Sequence, residues 1–385
     1  MGPSSLPPAA RSGPLFDRVA DVETLRLAWD KVEANQGAAG SDGVTVARFA
    51  LVAEAQIERL ARLLRAGAYR PSPARRVYAP KKAGGVRPLD IPCVSDRVVQ
   101  AAAAMVLDPL LDREMEPSSF AYRKGRSVAH AVARVAALRR QGYTHVVDGD
   151  IRSYFERIPH ERLIGKLERH VEDAALVDLV WLWLETYSLT GRGVAQGSPI
   201  SPLLANLYLD DVDERIEASG VRLVRCADDF LVLCRTPNAA AGALETVRGL
   251  LAGEGPELNV EKTRLVPLEQ GFRFLGHVFV RSLVVQEVEG DDTPDEDAIA
   301  AAAQAARLLD RAAQEPFPEQ DQPPGARARR LRPVYVVEPG RRLEAKGPQL
   351  RLVDDHARIV ELPPTTIDRI EIGPGADATL AAMDL

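Results

Sequence analysis

The sequence predicts an α+β fold over residues 15–280, followed by a linker and a small all-β segment. Three observations carry that prediction. Stretches with apolar residues at helical spacing alternate with short strand-like runs. Several of those runs pair as hairpins, one of them with two adjacent acids at its tip. From Pro333 the pattern changes to short strands bounded by turn residues. A chain of 385 residues, 46% of them apolar, is long enough for two to three domains with real cores.

Residues 1–14, rich in Pro, Ser and Ala, read as a disordered tail. Residues 21–35 then form an amphipathic helix with Val22, Leu25, Trp29 and Val32 on one face. A second helix at 53–66 turns Ile57, Leu60, Leu63 and Leu64 inward and its arginines outward. RRVYAPKKAGGVRPLDIP reads as two strands around a Lys-Lys-Ala-Gly-Gly turn. Helices are predicted at 95–114, 127–141, 160–187, 200–218 and 239–253. Among them HVVDGDIRSYF is a buried strand ending in acids, and RLVRCADDFLVLCR is a hairpin. A last hairpin, TRLVPL with FRFLGHVFV, closes this part near 280. Residues 281–332 have linker composition around one short helix at 297–313. PVYVVEPG, RRLEAKG, QLRLVDD, ARIVELP and DRIEIG are the strands of the tail, about 50 residues that are marginal as an independent fold.

The net charge of -6 argues at first sight against nucleic acid, but it is unevenly distributed. Residues 1–280 carry 36 Lys/Arg against 35 Asp/Glu, and 281–385 carry 13 against 20. Residues 59–87 hold nine Lys/Arg and no acid, a stripe suited to phosphates or a solvated face. No apolar run approaches the ~20 residues needed to cross a bilayer. The opening MGPSSLPPAARSGPL has no apolar signal core, and Leu6 breaks the myristoylation pattern. Cys93, Cys226 and Cys234 form no CxxC pair, and the six histidines have no zinc spacing. These features predict a reduced, soluble, cytoplasmic chain without structural zinc or membrane partner.

Asp228 and Asp229 lie between the apolar runs LVRCA and FLVLC, and Asp150 ends another apolar strand 78 residues earlier. Adjacent carboxylates at the tip of a buried hairpin repel one another unless cations compensate. Three carboxylates on two neighbouring strands suit a pair of Mg²⁺ ions that clamp an in-line phosphoryl displacement, or else a solvated turn.

The surrounding blocks, in order, resemble the group II intron-like reverse transcriptases. WDKVEANQGAAGSDGVTVARF is similar to the family's amino-terminal extension, YRPSPARRVYAPKKAGGVRPLDIPCVSDRVVQ to its fingers segment, and SFAYRKGRSVAHA to the next block. GDIRSYFERIPHERL, GVAQGSPISPLLANLYLDDVD and RCADDF match the three catalytic blocks, and LNVEKTRLV and FRFLGHVF the palm blocks that follow. The resemblance implies a right-hand polymerase core with fingers at 15–140 and palm at 141–280. It implies that Asp150, Asp228 and Asp229, helped by the Ile151 carbonyl, hold two Mg²⁺ ions, with Mn²⁺ as a substitute. Arg87, with Lys81 or Lys82, would reach the phosphates of the incoming dNTP. Phe155 falls at the position that excludes a ribose 2′-hydroxyl, or is a core phenylalanine. Gln196 and Gly197 would line the nucleotide and template site. Lys262 would stand near the leaving pyrophosphate, or be solvated. Cys226 replaces the family's usual aromatic, and QGSPISP is of the intron type.

After FLG the family continues into a basic helical region, where this chain has an acidic linker; a free-standing splicing maturase is therefore not expected. Residues 333–385 are similar to the amino-terminal β-domain of the CRISPR-associated spacer integrase, on Tyr335 to Gly340, the strands around Leu350 to Asp355, and Ile367 to Ile372; a generic β-domain is the alternative. The integrase's catalytic set would follow beyond Leu385, and His356 reads as solvated. The resemblance implies RNA-directed DNA synthesis from dNTPs on an RNA or DNA template with a DNA primer, in spacer acquisition from RNA beside integrase subunits. A retroelement reverse transcriptase and a catalytically silent nucleic-acid-binding subunit are the rivals.

Overall fold

The helical periodicity of the first hundred residues produces helices at the expected places. The computed structural model describes residues 12–80, 86–281 and 283–286, and the backbone of six strands between 332 and 378. The chain divides into two compact units, one of Met1–Ser127, Gly149–Leu231 and Gly242–Thr263, the other of Val128–Asp148, Val232–Ala241 and Arg264–Leu385.

The first unit opens with α1 (Pro14–Val19) and α2 (Val22–Ala34). The Asp21 carboxylate caps α2, accepting from the Glu23 and Thr24 amides, and Leu25, Trp29 and Val32 are buried as predicted. Trp29 meets Phe49 of α3 (Val46–Ala50) at 4.8 Å between ring centres. In α4 (Ala53–Arg65), Ile57, Leu60, Ala61 and Leu64 point inward while Arg59, Arg62 and Arg65 stay exposed. β1 (Arg75–Pro80) and β2 (Val86–Ile91) pair antiparallel, Pro80 opposite Val86. Their connecting turn, with Lys81 and Lys82, lies outside the described residues. α5 (Val94–Leu111) is buried along most of its length and packs against α2 and α4.

The single helix predicted over 160–187 is two. After α7 (Tyr154–Arg157), a turn the periodicity did not show, α8 (His160–Glu168) and α9 (Ala174–Tyr187) are separated at Asp173. That residue adopts extended backbone angles and caps α9 by accepting from the Leu176 amide. Its other oxygen accepts from the amides of Leu15 and Phe16, both at 2.8 Å. A carboxylate that satisfies donors of two helices outweighs the apolar periodicity that runs through it. α10 (Ser201–Ala218) is a long buried helix that packs against β4 (Arg222–Cys226).

A four-stranded sheet has the order β4–β5–β3–β6, with β3 at His145–Asp150, β5 at Asp229–Cys234 and β6 at Arg264–Pro267. The second unit contains α6 (Val128–Arg140). α11 (Pro237–Glu254) begins in the second unit and ends in the first. The last predicted hairpin is re-paired. β6 runs antiparallel to β3, His145 opposite Pro267, and the Leu268 amide donates to the Thr144 carbonyl. β7 (Phe272–Phe274) instead pairs with β8 (His277–Val280), the Phe272 and Phe279 rings stacking at 5.2 Å. β8 in turn pairs with β9 (Leu283–Gln286), which falls in the segment read as linker. β3 offers β6 a partner distant in sequence, which local alternation does not reveal.

All five tail strands appear in the backbone, as β10 (Arg332–Val336), β11 (Arg342–Lys346), β12 (Gln349–Val353), β13 (Ile359–Leu362) and β14 (Ile367–Ile372), with a short β15 (Asp377–Ala378). β10 pairs parallel with β14, and the other four form a sheet of order β13–β12–β11–β15. The predicted helix at 297–313 and residues 1–11 of the tail read as disordered over 1–14 lie outside the described residues, whereas Pro14 opens α1.

Candidate active site

Asp150 closes β3, and its neighbours bring the other two acids to it. The Ile151 amide donates to the Asp228 carbonyl at 3.2 Å, joining the end of β3 to the tip of the β4–β5 hairpin. Gly149 permits this approach, because a Cβ there would stand 2.3 Å from the Phe230 ring. At the tip, Ala227 adopts a φ of +62°, an unfavourable value for alanine that turns the chain directly into Asp228 and Asp229. Ile151, proposed from sequence to lend its carbonyl, is buried and bridges antiparallel to Leu258.

The electrostatics follow from this crowding. Burial, then the charges of Asp228 and Asp150, push the Asp229 carboxyl up to about 6. Asp228 is also raised, by burial first and by Asp150 among its neighbours. Lys262 works against both. Its ammonium donates to Asp150 Oδ2 at 2.9 Å and is held above its ordinary value chiefly by that bond. Asn259 Nδ2 donates to Asp150 Oδ1 at 2.8 Å, and the Asn259 amide donates to the Asp150 carbonyl. The Lys262 and Thr263 amides donate to Asn259 O, so one turn delivers both side chains to Asp150. Lys262 is thus an acid-paired lysine; Asn259 was not singled out in the sequence.

Below the tip lies a second group that the sequence reading missed. Arg225, entirely buried in β4, donates from Nε and Nη2 to the buried Asp213 carboxylate of α10 at 2.6–2.8 Å. Its Nη1 donates to Asn206 Oδ1 at 3.0 Å and to the Ala227 carbonyl at 3.1 Å. Burial opposes the charge, yet Asp213 holds the guanidinium above its ordinary value. The signal was present as a lone arginine inside the apolar run LVRC, where every other residue is uncharged.

The remaining predicted residues lie on β2, on α7 and in the loop before α10. Arg87 is exposed on β2, opposite Ala79. Phe155 is half-buried, edge-on to Tyr154 at 5.7 Å, and its carbonyl accepts from the Val194 amide. The Asp90 amide donates to the Gln196 carbonyl at 2.8 Å, clipping the Gln196–Gly197 loop to β2. Ser198 hydroxyl donates to the buried Gln100 of α5 at 3.0 Å. Gly197 has a φ of +122°, and a Cβ would lie 2.9 Å from the Asp90 carbonyl. Gly197→Ala should therefore lower unfolding free energy by about 1–3 kcal/mol. Urea denaturation followed by circular dichroism measures this, and an unchanged midpoint would mean the loop relaxes freely.

A profile of the family described as "Reverse transcriptase (RNA-dependent DNA polymerase)" matches residues 79–279, which hold all three carboxylates. The chain belongs to the reverse transcriptase family. Protein YkfC of Escherichia coli K12 is 32% identical over 324 residues, covering 71% of this chain and 84% of that protein. The group II intron-encoded protein LtrA of Lactococcus lactis is 31% identical over 196 residues, 49% of this chain but 32% of that one. Among solved structures, the "Cas6-RT-Cas1--Cas2 complex" aligns with 97% of this reverse transcriptase and 38% of that chain, at 24% identity and a TM-score of 0.36.

Reverse transcriptase domains use divalent metal ions, and the donor chemistry here fits one: hard carboxylate oxygens, those of Asp228 and Asp229 raised first by burial and then by neighbouring negative charge that a cation relieves. Among the described residues, no three His, Cys, Asp or Glu side chains are grouped as one metal-ion shell; Asp150 keeps its oxygens on Asn259 and Lys262. No helix of the described residues is long and apolar enough to cross a membrane.

Proposed function

We propose that this reverse transcriptase extends a DNA primer with dNTPs on an RNA or DNA template, using two Mg²⁺ ions or Mn²⁺ in their place. The single observation that carries the reading is the gathering of Asp150, Asp228 and Asp229 at the joined ends of β3 and the β4–β5 hairpin. When bound, the ions lower the pKa of the primer 3′-hydroxyl and stabilise charge on the α-phosphate and pyrophosphate. The three carboxylates and the Ile151 carbonyl would hold them. Lys262, already anchored on Asp150, would meet the charge that appears on the leaving pyrophosphate. Arg87, with Lys81 or Lys82, orients the triphosphate. Phe155 closes the sugar side against a 2′-hydroxyl, and the loop of Gln196 and Gly197 approaches the base pair closely because it lacks a Cβ at 197. In this reading residues 15–140 are the fingers and 141–280 the palm, and the basic stripe at 59–87 meets nucleic-acid phosphates.

The finer setting is CRISPR spacer acquisition from RNA in the cytoplasm, beside integrase subunits. Its support is the resemblance of residues 333–385 to the integrase β-domain, joined by strands β10, β12 and β14 on the segments that carry it.

The test is primer extension on an RNA template with Mg²⁺ or Mn²⁺, with and without EDTA. Extension that EDTA abolishes is expected. Duplex binding with no extension under either ion would favour the silent-subunit reading instead. Retention of a separately expressed integrase subunit on the immobilised chain is expected for the CRISPR setting; no retention would leave an ordinary retroelement enzyme.

A further inference from the structure

The turn between Phe120 and Arg123 leaves one aromatic ring in the open beside the acids. Ser119 bridges to Arg225 in parallel register, the Arg225 amide donating to Ser118 O and the Phe120 amide to Arg225 O at 2.8 and 2.9 Å. This fastens the segment along β4 up to the point where β4 turns toward Asp228. Beyond it, the Ala121 carbonyl accepts from Asn206 Nδ2 at 2.7 Å. On the other side Arg123 is buried, its guanidinium bonded to Asp112 and to the carbonyls of Glu116 and Ser119. Between these pinned neighbours Tyr122 is 56% exposed, with a φ of +58°. That backbone conformation is strained for a bulky residue, and the exposed ring gains little packing in return. Its phenol is raised by partial shielding from solvent, then by the nearby Asp228, Cys226 and Asp229, while Arg87 lowers it. The backbone bonds of Ser118 and Phe120 to Arg225, three residues before Asp228, set this turn alongside the strand that leads into the hairpin tip.

We propose that Tyr122 is the platform on which the nucleobase at the primer 3′ terminus stacks, a primer-positioning contact that rests on the polymerase reading above. A 3′-hydroxyl that reaches Asp228 and Asp229 brings its own base to the flank of the hairpin tip, where Tyr122 lies. Phe155 is half-buried against Tyr154, whereas Tyr122 is 56% exposed. Stacking tolerates every base, as an enzyme that copies any template requires. Asn206 supports this arrangement twice, through Ala121 on one side and Arg225 on the other.

The test compares Tyr122→Ala and Tyr122→Phe with wild type in the full chain. One readout is steady-state extension; the other is the fluorescence of 2-aminopurine at the primer 3′ end, with no dNTP present. Tyr122→Ala should weaken productive use of the primer–template about tenfold, with the dNTP KM within about twofold and 2-aminopurine less quenched. Tyr122→Phe should behave as wild type, since the ring and not the hydroxyl makes the contact. Equal quenching in wild type and Tyr122→Ala would overturn the proposal, as would a loss confined to the dNTP KM or a Phe variant as impaired as Ala. A wild-type protein that binds duplex but never extends it would defeat the polymerase reading alone, because the quenching readout needs no catalysis.

Discussion

Asp228→Ala should reduce RNA-templated primer extension by at least about a thousandfold while leaving the protein as stable as wild type, or more so. On the proposed reading, the loss follows from removing an oxygen that would hold a metal ion, and metal-ion charge stabilisation is worth several kcal/mol, each factor of ten being about 1.4 kcal/mol. The unchanged stability follows from which atoms hold the fold. The Asp228 backbone carbonyl, not its carboxylate, accepts from Ile151, so the junction of the strands survives truncation. Burial first, and then the charge of Asp150, raises this carboxyl, so its removal relieves an unfavourable burial of charge and a repulsion. Extension rates and thermal unfolding on the same preparation decide the matter. Activity that survives the substitution would refute the assignment of Asp228, and a large fall in melting temperature would make any loss uninterpretable as chemistry.

The second large effect concerns Arg225. Arg225→Met should destabilise the protein by roughly 3–5 kcal/mol, because it leaves the buried Asp213 carboxylate without its counter-charge. The double substitution Arg225→Met with Asp213→Leu removes both charges and should recover most of that stability. It does not restore the donor to the Ala227 carbonyl, which holds the left-handed turn before Asp228. Stability and activity should therefore separate: denaturation midpoints near wild type in the double variant, extension still depressed. If extension returned together with stability, the arginine would serve folding alone and the turn would hold itself.

The sequence made much of this visible where the controlling forces are local. Asp21 before α2, the inward stripe of α4 and the pairing of β1 with β2 are all written within a few residues. The three acids were legible because carboxylates inside apolar runs are costly without a purpose. What stayed hidden depended on partners distant in the chain. Asp173 divides an apolar stretch because its carboxylate meets Leu15 and Phe16, 158 and 157 residues earlier. β6 passes over its neighbour β7 for β3, and Lys262, read as either solvated or near pyrophosphate, is bound to an acid 112 residues away. Periodicity gives the period and face of an element but not its partner. Tyr122 was unreadable for a related reason: an aromatic in AYRKG looks like ordinary turn filling until its exposure and its neighbours are known.

Asp173 also couples two parts of the molecule that could otherwise drift apart. The carboxylate that starts α9 is the mooring of α1, so neither helix can slide by a residue without unfastening the other. Even the residue ahead of α1 is fitted to it, since a Cβ on Gly13 would strike the same carboxylate. Whoever trims the leading segment should cut before Gly13; a later cut would strip donors from a helix start 160 residues downstream.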